Sequence, residues 1–154
     1  MDLTQLLSPS AVKAISSVSS KKRLFLTMGE IAADAFGIDM EESVSALLER
    51  EGLGPTGVGK GVALPHARLR DLDEIRGVFL KLDKPLDFES VVRQPVDLVF
   101  GLFAPRNAGV EHLKALALVS RTMRDASICS KLRANSDPVA LHAILTEAPS
   151  SRAA

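Results

Sequence analysis

Apolar positions along this chain switch between a strand-like and a helix-like period. Residues 12–18, Val-Lys-Ala-Ile-Ser-Ser-Val, alternate loosely and predict a first strand after an irregular lead-in over residues 1–10. From Lys21 to Phe36 the spacing becomes helical. Leu24, Met28, Ile31 and Ala35 share one face, and Ser20 stands where an N-cap belongs. A second helix starts after Asp39, with Asp39 and Glu42 at a capping-box-like spacing and Gly52 as its end. Its apolar stripe is Met40, Val44, Leu47 and Leu48. A short apolar piece, Val62-Ala63-Leu64, leads into Pro65 and His66. Residues 75–82 predict a strand, followed by a turn at Lys84-Pro85 and a short edge piece, Leu86-Asp87-Phe88. Residues 96–104 are apolar nearly throughout, as expected of a central strand covered on both faces. A helix follows from Val110 to Arg124, with Leu113, Leu116, Ala117, Ser120 and Met123 at helical spacing. Two shorter helices, 127–134 and 137–146, precede a tail expected to fray from Pro149. Strands interleaved with helices predict an α/β fold with a mostly buried sheet. The Lys21-Lys22-Arg23 run has no place in this scheme, because positive charge in a helix's first turn opposes its dipole.

Composition narrows the function classes. A chain of 154 residues has the size of one domain, with 46% hydrophobic and 25% charged residues. Nineteen basic and nineteen acidic residues cancel, so the basic excess of a nucleic-acid-binding domain is missing. Six Phe, no Tyr and no Trp leave little for a base-stacking platform. Cys129 is the only cysteine and, with three His, offers no zinc-like spacing. No basic segment leads into a long apolar run near the start, and no apolar stretch approaches membrane-spanning length. The expected location is therefore cytoplasmic, without membrane insertion.

The glycine-rich stretch offers a tempting misreading. Gly54 to Lys60 fits the G-x-x-x-x-G-K spacing of a nucleotide-binding P-loop, but Gly61 stands where that motif needs a magnesium-binding hydroxyl. A P-loop also runs into a helix, whereas this segment enters an extended Val-Ala-Leu-Pro piece. Two readings then remain. The glycines supply backbone freedom in a long turn, or their small size also lets a partner protein approach His66. Residue types alone favour the plain turn.

Pro65 restricts the backbone beside His66, which helps to hold the imidazole in one orientation. His112 falls in the first turn of its predicted helix, where the dipole disfavours imidazolium and favours a bound anion. At neutral pH His66 would be a largely unprotonated nucleophile able to form a phosphoramidate. Phosphoryl transfer needs cations or N–H donors around the transferred oxygens. Arg50 could supply a bidentate contact, although a basic residue in a helix's last turn also serves the dipole. His142, among Leu141, Ile144 and Leu145, reads as packing or surface. No cluster of carboxylates offers a magnesium site, so neither metal nor cofactor is expected.

The segment Thr56-Gly57-Val58-Gly59-Lys60-Gly61-Val62-Ala63-Leu64-Pro65-His66 resembles the T-G-[IV]-G-x-G-[VI]-A-[IL]-P-H signature of phosphotransferase-system enzyme IIA proteins of the fructose/mannitol class. The likeness continues through Lys84-Pro85-Leu86-Asp87-Phe88, through Gln94-Pro95-Val96-Asp97-Leu98-Val99-Phe100, and through His112-Leu113-Lys114-Ala115-Leu116-Ala117, covering residues 12–146. The Gln-Pro-Val-Asp run looks most like the nitrogen-regulatory IIA branch. Pro55 departs from the family, which often has Ser there.

The resemblance implies a single domain over residues 1–150 with residues 151–154 as a frayed tail, built on a mixed parallel and antiparallel sheet between helices. It implies that His66 takes a phosphoryl group on Nε2 from a phosphorylated HPr-like carrier of the NPr type. His112 would stabilise the phosphoryl group and Arg50 would contact it. The protein would be a phosphohistidine phosphocarrier rather than a multi-substrate metabolic enzyme, a regulatory switch toward partners such as sensor kinases or potassium transporters. The alternatives are a sugar-specific IIA that passes phosphate to a IIB domain, and a binding module that has lost its chemistry. The presence of His66, Arg50 and His112 together argues against the last.

Overall fold

The computed structural model describes residues 1–87 and 95–147. The expected edge residue Phe88, the Gln94 of the Gln-Pro-Val-Asp run and the frayed tail from Pro149 lie outside the described residues. The lead-in carries regular structure, contrary to expectation. Helix α1 (Leu3–Leu6) is closed by a reciprocal capping box between Asp2 and Gln5, and a 3-10 turn spans Pro9–Ala11. Leu3, Leu6 and Leu7 bury their side chains in the core, which outweighs the low helical tendency of so short a segment.

Strand β1 (Val12–Ile15) is followed by helix α2 (Lys21–Phe36), capped by the Ser20 side chain as its sequence predicts. Helix α3 (Met40–Leu53) takes Asp39 as its N-cap. Only half of the predicted capping box forms, because the Glu42 carboxylate accepts the Arg70 backbone N–H (3.1 Å) instead. The helix also runs past Gly52 to Leu53. Its buried stripe is Ser43, Val44 and Leu47, while Leu48 faces outward.

The sheet follows: β2 (Gly57–Gly59), β3 (Val62–Ala63), β4 (His66–Leu69), β5 (Arg76–Leu86) and β6 (Val96–Pro105). The described residues form one six-stranded sheet in the order β1-β5-β6-β3-β2, with β4 also on β6. β1 runs parallel to β5, β5 antiparallel to β6, and β3 and β4 parallel to β6. The mixed sheet is the one expected. β5 runs straight through the predicted Lys84-Pro85 turn. Its register with β6 shifts between Lys81 and Leu86, so Pro85, which lacks an N–H, falls where the ladder is already interrupted.

Both faces of the sheet are covered. A Cβ on Gly101 of β6 would meet Met28 of α2, whereas one on Gly77, paired to Leu102 on the opposite face, would meet Phe100 and the Leu6 carbonyl. Three helices complete the chain: α4 (Val110–Met123), α5 (Ala126–Arg133) and α6 (Pro138–Thr146). In α4 the buried stripe is His112, Ala115, Leu118, Val119, Thr122 and Met123, rotated from the predicted one, and Leu113 and Ala117 are exposed. His142 has a packing role. Its Nε2 donates to the Leu7 carbonyl (3.0 Å), tying α6 to the N-terminal segment.

Candidate functional site

Strands β3 and β4 lie end to end along one edge of β6, with Val62 opposite Leu98 and His66 opposite Leu102. Leu64 and Pro65 interrupt this line, and Pro65 still accepts the Leu102 N–H (2.9 Å). A residue without an N–H ends one ladder, and His66 opens the next. The imidazole is half-buried, with its Nδ1 2.9 Å from the Leu64 carbonyl oxygen. A carbonyl only accepts, so this contact is a hydrogen bond when the proton sits on Nδ1, and Nε2 keeps its lone pair.

His66 lies in an open cleft of about 890 Å³ between α3, β4 and α4, which Arg50 and His112 also line. The two imidazoles lie 5.8 Å apart between ring centroids, tilted by 56°. His112 occupies the first turn of α4 and is only 5% exposed; its Nδ1 has no hydrogen-bond partner among the described residues. Burial lowers the His66 pKa, helped by the Arg50 charge, while the Leu64 carbonyl and the Glu51 carboxylate pull the other way. The His112 pKa is lowered as well, first by burial, then by the charges of Arg68 and His66. The neutral His112 expected from its helix position is thus favoured by its surroundings.

The sequence-predicted trio of His66, His112 and Arg50 comes together in one cleft. Arg50 is partly engaged, donating from Nη1 to the Gly54 carbonyl (2.9 Å) at the end of α3, so its helix-end role is real. Residues not predicted from sequence also line the cleft, chiefly Arg68 and Arg106. Alternation along β4 could have found Arg68, since it stands two residues after His66 and on the same face. Arg106 follows the end of β6 and is held beside β4 by its N–H to the Leu69 carbonyl (2.9 Å). The cleft also carries acidic groups, Glu42, Glu49 and Asp71, and its rim is apolar at Leu53 (83% exposed) and Leu113 (64%).

The P-loop-like segment is a β-hairpin. Gly57–Gly59 pairs antiparallel with Val62–Ala63, and Lys60 (φ 57°) and Gly61 (φ 79°) make the two-residue tip. Positive φ at both positions is the geometry that matches strand twist in such a turn. The tip is pinned by Arg133, which donates to the Lys60 carbonyl (2.7 Å) and pairs with Asp97 through two bonds of 2.9 Å. No helix follows the glycines.

The chain is similar to known proteins along nearly its whole length. Residues 5–148 match the family model described as phosphoenolpyruvate-dependent sugar phosphotransferase system, EIIA 2. The nitrogen regulatory protein of Bradyrhizobium diazoefficiens is 45% identical over 153 residues, covering 99% of this chain and all of that one. The crystal structure of the nitrogen regulatory protein IIA-Ntr from Neisseria meningitidis is 33% identical. It superposes with a TM-score of 0.86 over 94% of this chain and 99% of that one. The mannitol IIA of Escherichia coli shares the fold at 22% identity, with a TM-score of 0.76 over 90% of this chain and 97% of that one. With the family model spanning nearly the whole chain and a relative at this identity covering all of it, the chain belongs to the EIIA 2 family of the sugar phosphotransferase system.

Proposed function

We propose that this chain is a cytoplasmic phosphocarrier of the nitrogen-regulatory kind, in which His66 accepts a phosphoryl group from a phosphorylated HPr-like protein of the NPr type. The observation that carries this reading is the His66 imidazole itself: its Nδ1 is committed to the Leu64 carbonyl, so Nε2 is the free nucleophile in an arginine-lined cleft. In the transfer, the Nε2 lone pair forms the new N–P bond as the donor's phosphohistidine N–P bond breaks, and the donor nitrogen leaves with the electron pair. Charge spread over the three phosphoryl oxygens needs fixed positive groups, which Arg50 and Arg68 supply from two sides of the cleft. His112 adds a neutral imidazole able to donate one N–H. Leu53 and Leu113 give a partner protein apolar contacts around the site. Partner choice, including sensor kinases or potassium transporters, would follow from the charge that phosphorylation adds there.

The test is incubation with the phosphorylated donor. Wild-type protein is expected to gain one acid-labile phosphate and His66→Ala none. Undiminished labelling of His66→Ala overturns the assignment.

A further inference from the structure

Lys21, the first residue of the basic run at the start of α2, has a partner within the fold. Lys21 Nζ donates to Glu51 Oε2 (2.9 Å) in the last turn of α3. Each charge opposes the dipole of its own helix, and pairing them offsets both. The Glu51 side chain is only 6% exposed, and a carboxylate so buried requires several donors. It has three: Lys21 Nζ, the Thr56 N–H (3.1 Å) and the Thr56 hydroxyl (2.6 Å). Thr56, itself buried, is therefore clamped at both its donors at the entry to the glycine hairpin. Its carbonyl in turn accepts the Leu64 N–H (3.0 Å), and the Leu64 carbonyl accepts His66 Nδ1 (2.9 Å).

An unbroken series of hydrogen bonds thus runs from Lys21 through Glu51, Thr56 and Leu64 to the His66 ring. We propose that Lys21, Glu51 and Thr56 are positioning residues that hold the Leu64 carbonyl, and through it keep His66 in the tautomer with Nε2 free. The inference rests on the phosphocarrier reading for its consequence, though not for its geometry. The link is mechanical. Thr56 donates and accepts through different peptide units, so displacement rather than polarisation passes along the series. The carbonyl partner of an imidazole fixes both its tautomer and its ring orientation; at metal-bound histidines loss of such a partner commonly costs about 10- to 100-fold in function, and the same scale is expected here. The series also separates the roles of adjacent side chains. Arg50 turns toward the cleft and Glu51 toward the frame behind it.

Thr56→Val, which removes one hydroxyl donor at nearly constant volume, and Glu51→Gln, which removes the charge, are the informative variants, with Thr56→Ser as the rescue. Two readings are taken on variants whose amide spectra remain native-like: the ¹⁵N shifts of the His66 ring, which report the tautomer, and single-turnover transfer from the phosphorylated donor. Thr56→Val and Glu51→Gln are expected to lower the fraction of His66 protonated on Nδ1 and to slow transfer about 10- to 100-fold, with Thr56→Ser near wild type in both. If Glu51→Gln does not fold, the Thr56→Val and Thr56→Ser pair decides alone. Wild-type tautomer and transfer rate in a folded Thr56→Val protein overturn the relay, while leaving the phosphocarrier reading intact. Failure of wild-type His66 to accept phosphate overturns the phosphocarrier reading, and the tautomer measurement, which needs no donor, still decides the relay.

Discussion

His66 and His112 differ in what the fold asks of them. His66 has one ring nitrogen bonded and one free, whereas His112 is buried with its Nδ1 unpaired. Removing a donor from a developing anion commonly costs about 10²–10³ in rate. Arg50→Ala and His112→Leu are therefore expected to keep the fold and slow transfer by about that factor, measured by single-turnover labelling; native rates in both would mean that neither touches the transferred group. Leucine is the better probe at residue 112, because it removes both ring nitrogens and keeps most of the volume. The side chain lines the cleft but is only 5% exposed, so alanine there would add a cavity cost. Burial also sets a pH dependence. Both histidine pKa values are lowered from 6.5, so the imidazoles are neutral above that value in folded and unfolded chains alike. Below it the unfolded chain binds more protons, and stability falls as the pH drops through the lowered folded values. Urea midpoints are expected to decline from about pH 6.5 downward, less steeply in His112→Leu.

At the scale of elements, the hairpin before His66 is held by its tip as well as by its entry. A Cβ on Gly61 would lie 2.5 Å from Arg133 Nη2 and 2.8 Å from Asp97 Oδ1, on a backbone at φ 79°. Gly61→Ala is expected to destabilise the protein by about 1–3 kcal/mol, since it combines left-handed strain with displacement of the Arg133–Asp97 pair. Chemical denaturation measures this directly, and an unchanged midpoint would show that the tip is not held as described. The same element explains why the P-loop spacing misleads. Lys60 takes a tip position with positive φ, and the chain turns back into a strand rather than into a helix.

At the scale of the whole molecule, the cleft lies on a buried sheet. β6 is buried along nearly its whole length, and the sheet carries helices on both faces. A phosphate on His66 would add about two negative charges to a site where Arg50, Arg68 and the start of α4 can receive them. Phosphorylation is expected to work as a change of surface charge, not as a refolding. Amide NMR shifts are expected to stay near residues 50, 66 and 112, with a partner's affinity differing between the two forms. Widespread shifts in α5 and α6 would point to a conformational mechanism instead.

Local chemistry was enough to place α2 between Ser20 and Phe36, to start α3 at Asp39 and to mark β6 as central, because caps and periodicity act within a few residues. The run from Thr56 to His66 likewise carried the family in its own spelling. Other features depended on neighbours distant in sequence. The lead-in is helical because Leu3 and Leu6 find the core, and β5 passes Pro85 because its ladder is interrupted there. The stripe of α4 differs from the predicted one because Leu113 and Ala117 are apolar, yet only packing chooses which side of a helix is buried. Arg68 and Arg106 meet His66 only once β4 lies along β6. Lys21, at the basic start of α2, has no rationale within its own helix. It acquires one when tertiary folding brings the buried Glu51 carboxylate to within 2.9 Å of Lys21, since charges this close interact strongly only after water has been excluded.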